Sequence, residues 1–343
     1  MSRRALTLLV AGVAVVVAAV IAAALPVPYV ILSPGPTLNT LGTVSGKPLI
    51  QIDSARAHAA RGHLNLVTVN FQGGPGDEIN IFTALRGWLS SHDAVVPQAE
   101  VFGTGQTQQQ VLHQDVQEMT GSQQDATAAA LTQLKIPFKT YIQIAQTEPG
   151  MPAAKVLKAG DIITAVNGTP VATLAALSAS VRAHPAGQQL TLTITRSGKT
   201  QQLKVGTVSA QGRQVIGVVV QPGYTFPFGI KISVGDIGGP SAGLMFALGI
   251  IDKLGSVDLT GGKFIAGTGE ITPNGSIQPI GGIQQKMAGA RAMGATVFLV
   301  PAANCSDAAG AAVAGLRLVK VSTLAGAVND LQRIKAGRSV PSC

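Results

Sequence analysis

Ser241 stands in the stretch GGPSAGLMFALGI, Gly238 to Ile250. A serine behind Gly-Gly-Pro and ahead of a run with almost no polar atom has two readings. It can cap the helix that the run predicts, because Ser is a favoured N-cap. It can also be a nucleophile, since the unpaired N–H groups and positive dipole end of a helix start stabilise a developing oxyanion. Glycines beside it let a substrate carbonyl approach closely. A nucleophilic serine needs a base. The five histidines, His58, His63, His92, His113 and His184, all lie outside this segment, and none has a triad-like setting. Lysine is the other option. In GGIQQKMAGARAMGA the spacing predicts a helix from near Ile283, with Ile283, Met287, Ala290 and Gly294 on one face and Lys286 at its edge. A lysine there can snorkel outward. Turned inward it loses hydration, its pKa falls, and the neutral amine can accept a proton. Spacing alone leaves both readings open.

Around these residues the chain must supply a scaffold. Its 343 residues allow two or three compact domains. With 46% hydrophobic and 12% charged residues it is globular or membrane-attached, not disordered. The net charge of +9 forms no basic run, and aromatics are only 4%, which argues against a nucleic-acid partner. Arg3 and Arg4 precede residues 5–25, a stretch without a charge. That stretch is long enough to cross a bilayer core, which predicts a membrane partner. The arginine bias puts the N-terminus in the cytoplasm and the body outside. A cleaved signal peptide ending near Ala22, Ala23 and Ala24 is the alternative, and the length of the run favours an uncleaved anchor. Cys305 and Cys343 could pair in an oxidising compartment or stay as two thiols, and they lack zinc-site spacing.

After a Pro/Gly-broken segment (27–42), PLIQI and HLNLVTVNF read as strands. NIFTALRGWLSS (80–91) has helical spacing, with Ile81, Leu85 and Leu89 on one face. The Gln-rich stretch from Gln106 to Gln124 reads as helix or connector. Then ATAAALTQL predicts a short helix, TYIQIAQ a strand, and TLAALSASVRA (173–183) a helix. QLTLTITRSGKTQQLKV (189–205) predicts a hairpin around Ser197-Gly198.

Between these elements stand Pro152-Ala153-Ala154, Leu157, Gly160-Asp161-Ile162-Ile163 and Val166-Asn167-Gly168. On these residues the region resembles the PDZ domains attached to bacterial envelope proteases. The resemblance implies peptide binding by strand addition beside the helix 173–183, although no Gly-aromatic carboxylate loop precedes Tyr141.

The last third resembles the proteolytic domain of the Lon (endopeptidase La) family over roughly residues 215–302. Gly239-Pro240-Ser241-Ala242-Gly243, Thr268-Gly269-Glu270-Ile271-Thr272, Gly275, Pro279-Ile280-Gly281-Gly282, Lys286 and Val297-Phe298-Leu299-Val300-Pro301 carry it, in order. It implies Ser241 as nucleophile and Lys286 as general base, a Ser–Lys dyad, with Thr268 orienting the lysine. Backbone groups near Gly239 and Ala242 would hold the oxyanion. Lon-type domains assemble as rings, which leaves a homo-oligomer open. The family carries an acidic residue three before the serine, where this chain has Gly238, with Asp236 two residues earlier.

No Gly-x4-Gly-Lys-Ser/Thr phosphate loop occurs. GTGQTQ (103–108) and GTGEIT (267–272) lack its lysine, so neither ATP nor any other cofactor is expected. The SPGPT segment, Ser33 to Thr37, also fits membrane-anchored bacterial Lon-like proteases with a PDZ domain.

The expectation is an α+β protein: an N-terminal transmembrane helix, a PDZ-like β/α module and a Lon-type α/β proteolytic domain. Its expected divisions are 1–25 (stub and anchor), 26–124 (flanking or completing the protease), 125–208 (PDZ-like) and 209–343 (proteolytic). The implied activity is ATP-independent serine endopeptidase action on extended or unfolded protein at the outer membrane face. The competing readings are a non-catalytic PDZ scaffold and a single-target or self-processing protease.

Overall fold

The structure, a computed structural model, describes residues 3–54, 57–58, 62–185, 187–210 and 212–343. Met1 and Ser2 of the expected cytoplasmic stub lie outside them. The chain divides into two compact units, Met1–Ile136 with Phe228–Cys343, and Pro137–Pro227.

The larger unit begins with helix α1 (Arg3–Ala24), whose 22 residues include none that is buried. At a rise of about 1.5 Å per residue it is ~33 Å long, enough to cross a bilayer or to serve as a signal sequence. Strands β1 (Pro26–Val27), β2 (Tyr29–Asn39), β3 (His63–Gln72) and β4 (Ile79–Asn80) follow. Next come helix α2 (Ile81–Trp88), strand β5 (Ala94–Pro97) and helix α3 (Gln108–Gln133). Ser33 to Thr37 lies within β2, where a register shift between Pro34 and Thr37 breaks its pairing with β3. PLIQI supplies the short strand Ile50–Ile52, paired antiparallel with Ile230–Ile232. The Gln-rich stretch and ATAAALTQL prove to be one continuous 26-residue helix, α3. Its start is set by a capping box between Thr107 and Gln110.

The second unit is an antiparallel sheet with one helix. Strands β6 (Lys139–Thr147), β7 (Ile162–Val166), β8 (Gln189–Arg196), β9 (Lys199–Gly206) and β10 (Val218–Thr225) run in the spatial order β9-β8-β7-β6-β10. Helix α4 (Leu174–Arg182) starts at Thr173, whose side chain accepts from the Ala176 N–H. The turn between β8 and β9 is the expected one, with Ser197 and Gly198 both at positive φ. The core gathers Ile142, Ile144, Ile163, Leu177, Leu190, Leu192 and Ile194, all buried. Within it, Asp161 is 1% exposed and held by a bidentate pair from Arg196, Nε to Oδ1 and Nη2 to Oδ2, both 2.7 Å.

The chain then returns to the first unit through helix α5 (Gly243–Leu254), strand β11 (Phe264–Gly267), helix α6 (Ile283–Ala292), strands β12 (Val297–Pro301) and β13 (Arg317–Val321), and helix α7 (Leu324–Lys335). The central sheet has the order β13-β12-β11-β3-β2-β5. Its β3, β11, β12 and β13 neighbours are parallel, and β2 pairs antiparallel with both β3 and β5.

Alternation along the strands assigns the helices to opposite faces. Ala266, Phe298 and Val300 pack with Ile283, Met287 and Ala290 of α6. On the other side, a Cβ at Gly267 would come 2.9 Å from Met245 Sδ of α5. Eleven of the twelve α5 residues are buried, as its near-uniform apolar sequence dictates. Cys305 and Cys343 form a disulfide that pins the C-terminal tail, and Lys320 N–H donates to Pro341 O beside it.

Candidate active site

The N-terminal ends of α5 and α6 meet beyond the carboxyl end of β11, and there the two candidate residues of the sequence, Ser241 and Lys286, come together. Lys286 Nζ lies 2.9 Å from Ser241 Oγ and 3.2 Å from Thr268 Oγ1. Thr268 directly follows β11, Lys286 sits in the first turn of α6, and Ser241 precedes α5.

Ser241 is not a helix cap. The α5 N-cap is Ala242, with no side-chain cap bond, and the helix opens at Gly243, not at the serine. The hydroxyl is therefore free to engage the lysine. The Ser241 backbone is fixed instead by its carbonyl, which accepts from Gly269 N–H at 2.8 Å and from Thr268 Oγ1 at 3.0 Å. That second bond uses the only hydroxyl proton of Thr268. Toward Lys286, Thr268 can then only accept, so it takes one amine N–H and leaves the lone pair of a neutral amine for the Ser241 hydroxyl.

Lys286 turns inward with Ile283, Met287 and Ala290 and is 4% exposed. Burial disfavours its charged form and pulls its pKa down to about 7. Among the described residues no carboxylate forms a salt bridge with it. The turn that aims it is set by Gly282 at φ 66°, a left-handed position suited to glycine. Lys286 N–H donates to Gly282 O at 3.0 Å. The buried Asn304 holds the preceding loop, accepting from Ile280 N–H and donating to Ile280 O.

Ser241 and Lys286 line a cleft of about 650 Å³, walled by Val67 to Phe71 of β3, Met119 of α3 and Ile237 to Gly239. No histidine lines it. Of the expected backbone donors, the Gly239 N–H is already taken by Asp115 O at 3.2 Å. The N–H groups of Ser241 and Ala242 have no acceptor among the described residues.

Helix α3 contributes two residues that the sequence reading did not find. Ser122 Oγ donates to Pro240 O at 2.9 Å, bracing the serine loop. Asp115 packs so tightly on Gly238 that a Cβ there would lie 2.6 Å from Asp115 Cβ. A side chain at position 238 is therefore excluded, and a carboxylate from α3 stands in that place; burial first, then Glu118, raise its pKa. Asp236 is exposed on the cleft rim. No local signal marks Asp115 or Ser122, more than a hundred residues from the serine they support.

In the second unit, α4 packs against β7 and β10. Strand β10 is the sheet edge, bonded to β6 on one side only among the described strands. The strand beside the helix thus comes from downstream of the hairpin, after Gly217 at φ 80°, and not from upstream of Tyr141.

Comparison with known proteins finds two family domains in the chain. Residues 119–207 match the PDZ domain model, and residues 230–326 match the Lon protease (S16) C-terminal proteolytic domain model. The chain is similar to the periplasmic serine endoprotease DegP of Escherichia coli (strain K12), 40% identical over 83 residues, which are 24% of this chain and 18% of that one. The Salmonella typhimurium DegP is 44% identical over 67 residues, 19% of this chain and 14% of that one. The chain thus spans less than a fifth of these curated relatives. Among solved structures, the PDZ domain of an SdrC-like protein from Listeria monocytogenes matches with TM-score 0.22 and 21% identity, covering 23% of this chain and 85% of that one. A solution structure from Geobacillus thermodenitrificans matches with TM-score 0.20 and 29% identity, covering 21% and 84%.

Proposed function

We propose that this chain, which carries a PDZ domain and a Lon protease (S16) proteolytic domain, is an ATP-independent serine endopeptidase working through a Ser241–Lys286 dyad. The observation that carries the reading is the 2.9 Å approach of a buried lysine, without a counter-ion, to a cleft-lining serine. Neutral Lys286 takes the Ser241 proton as Oγ attacks the scissile carbonyl. The oxyanion is held by the Ala242 N–H at the start of α5. Lys286 then gives its proton to the leaving amine. A water attacks the acyl-enzyme, passes its proton to Lys286, and Ser241 recovers its own. Thr268 is the residue that orients the lysine.

The substrate is an extended protein segment, since this chain has no phosphate loop to drive unfolding. The edge of β10 beside α4 suits capture of such a segment as an added strand. Capture would raise its effective concentration at the cleft. With α1 as an uncleaved anchor and its two arginines in the cytoplasm, the body works on the outer side, where the Cys305–Cys343 bond persists.

The test is hydrolysis of an unfolded protein and of extended peptides without ATP by the full chain. Cleavage that vanishes in folded Ser241→Ala and Lys286→Ala supports the dyad. Cleavage that survives either change excludes it.

A further inference from the structure

Helix α2 presents its apolar residues to the wrong side for a helix in water. Its seat on the sheet is made by two small residues, Ala84 and Gly87, both buried. A Cβ at Gly87 would come 2.8 Å from Val95 Cγ2 and 3.2 Å from Ile31 Cδ1, so the helix lies directly on β2 and β5. At about 100° per residue, the direction away from that seat is shared by Phe82, Leu85, Arg86 and Leu89. Phe82 is 48% exposed, Leu85 44% and Leu89 88%. A surface helix normally turns polar residues that way. On the flank stands Trp88, 49% exposed and edge-on to Tyr29 at 5.5 Å; it is the single tryptophan of the chain.

The fold also specifies where this face lies. Strand β1 begins two residues after the last residue of α1 and pairs with β4, Pro26 opposite Asn80 and Val27 opposite Ile79. Asn80 is itself the N-cap of α2, its side chain accepting from Thr83 N–H at 3.0 Å. The first turn of α2 is therefore tied, through one ladder, to the point where the chain leaves α1, and α2 packs against α1. If α1 spans a bilayer, its end lies at the water interface, the depth at which Trp and Tyr are enriched.

We propose that α2 is an interfacial membrane helix, its Phe82, Leu85, Trp88 and Leu89 side chains seated in the headgroup–acyl boundary of the bilayer that α1 crosses. Arg86, in the middle of this face, reaches the lipid phosphates. The body is then held to the membrane at two points and cannot swing freely about residue 25. The proposal rests on the reading of α1 as an anchor.

Trp88 reports on it without labelling. The full chain is reconstituted into phosphatidylcholine vesicles with and without brominated acyl chains, floated after an alkaline wash, and its tryptophan emission is measured. Interfacial seating predicts a blue-shifted emission that brominated lipid quenches and aqueous iodide reaches poorly. The double change Leu85→Glu/Leu89→Glu should lose the quenching and regain iodide access, with flotation and circular dichroism unchanged. A floated chain whose Trp88 is open to iodide and insensitive to bromine overturns the proposal while leaving the anchor standing. Shielding from iodide without bromine quenching overturns it as well, and assigns the face to a protein partner. Failure to float overturns the anchor and the proposal together.

Discussion

Two buried charged groups, Asp161 in the second unit and Lys286 in the first, are treated in opposite ways. Asp161 in the second unit is met by a two-pronged Arg196 and by the Lys158 N–H at 2.8 Å. Burial alone would raise its pKa, yet the Arg196 pair and the Lys158 N–H outweigh it and hold the carboxyl below its usual range. Lys286 in the first unit is given apolar neighbours, two hydroxyls and no counter-ion, and burial lowers its pKa to about 7. A charge kept for structure is paired, because an uncompensated buried charge is strongly destabilising. A group left unpaired in a cleft loses its proton near neutral pH and becomes usable as a base. The contrast separates a charge that holds a fold together from one that weakens it in return for reactivity.

The sharpest way to break this contrast is to remove the reactive pair. Ser241→Ala and Lys286→Met should each lower peptide hydrolysis by about 10⁴- to 10⁶-fold, measured as kcat/KM. Stability should move the other way. Unfolded, the lysine keeps an ordinary pKa near ~10.4; folded, it is about 7. Between these values the unfolded state binds more protons, so the stability of the wild type rises as pH increases from 7 toward 10. Lys286→Met removes the penalty and should stabilise the protein by a few kcal/mol at pH 7. The gain should vanish by pH 10 in denaturant titrations. Arg196→Ala is the mirror experiment, leaving Asp161 buried and alone. It should lower the stability of the 137–227 unit without changing kcat on a short peptide; a loss of kcat there would mean that the two units do not act separately. Smallest is Thr268→Val, which keeps the shape but frees the lysine to turn. It should reduce kcat by about 10²-fold with KM little changed.

The parts legible in the sequence were those fixed by short-range pattern. Glycine-rich turns flank Ser241 and Lys286, and the α6 spacing put Lys286 at the border of an apolar face; residue type and helical period made each a candidate, and the resemblance to Lon-type proteolytic domains singled out the pair. The inward turn of that lysine was not readable, because it depends on Gly282 and on the β2 and β3 residues packed over α6. Asp115 and Ser122 were invisible for a different reason. Helix α3 is polar over its first half and has no apolar stripe there, so that stretch reads equally as helix or connector, although its last turns are buried under α5. In α2 the spacing of Ile81, Leu85 and Leu89 revealed the helix but not its orientation. Its seat is built from Ala84 and Gly87, where small size permits close approach. The segment after residue 209 reads as the start of the last third, yet Val218–Thr225 pairs with β6, a partner seventy residues away that no local pattern announces.

The most direct measurement is the pH dependence of kcat/KM for an extended peptide, with Lys286→Met run beside the wild type. The account predicts an acid limb with its midpoint near 7, the value burial imposes on Lys286, and a variant with neither rate nor limb. A limb at the ordinary lysine value, or a Lys286→Met protein that still cleaves with the same profile, would contradict it.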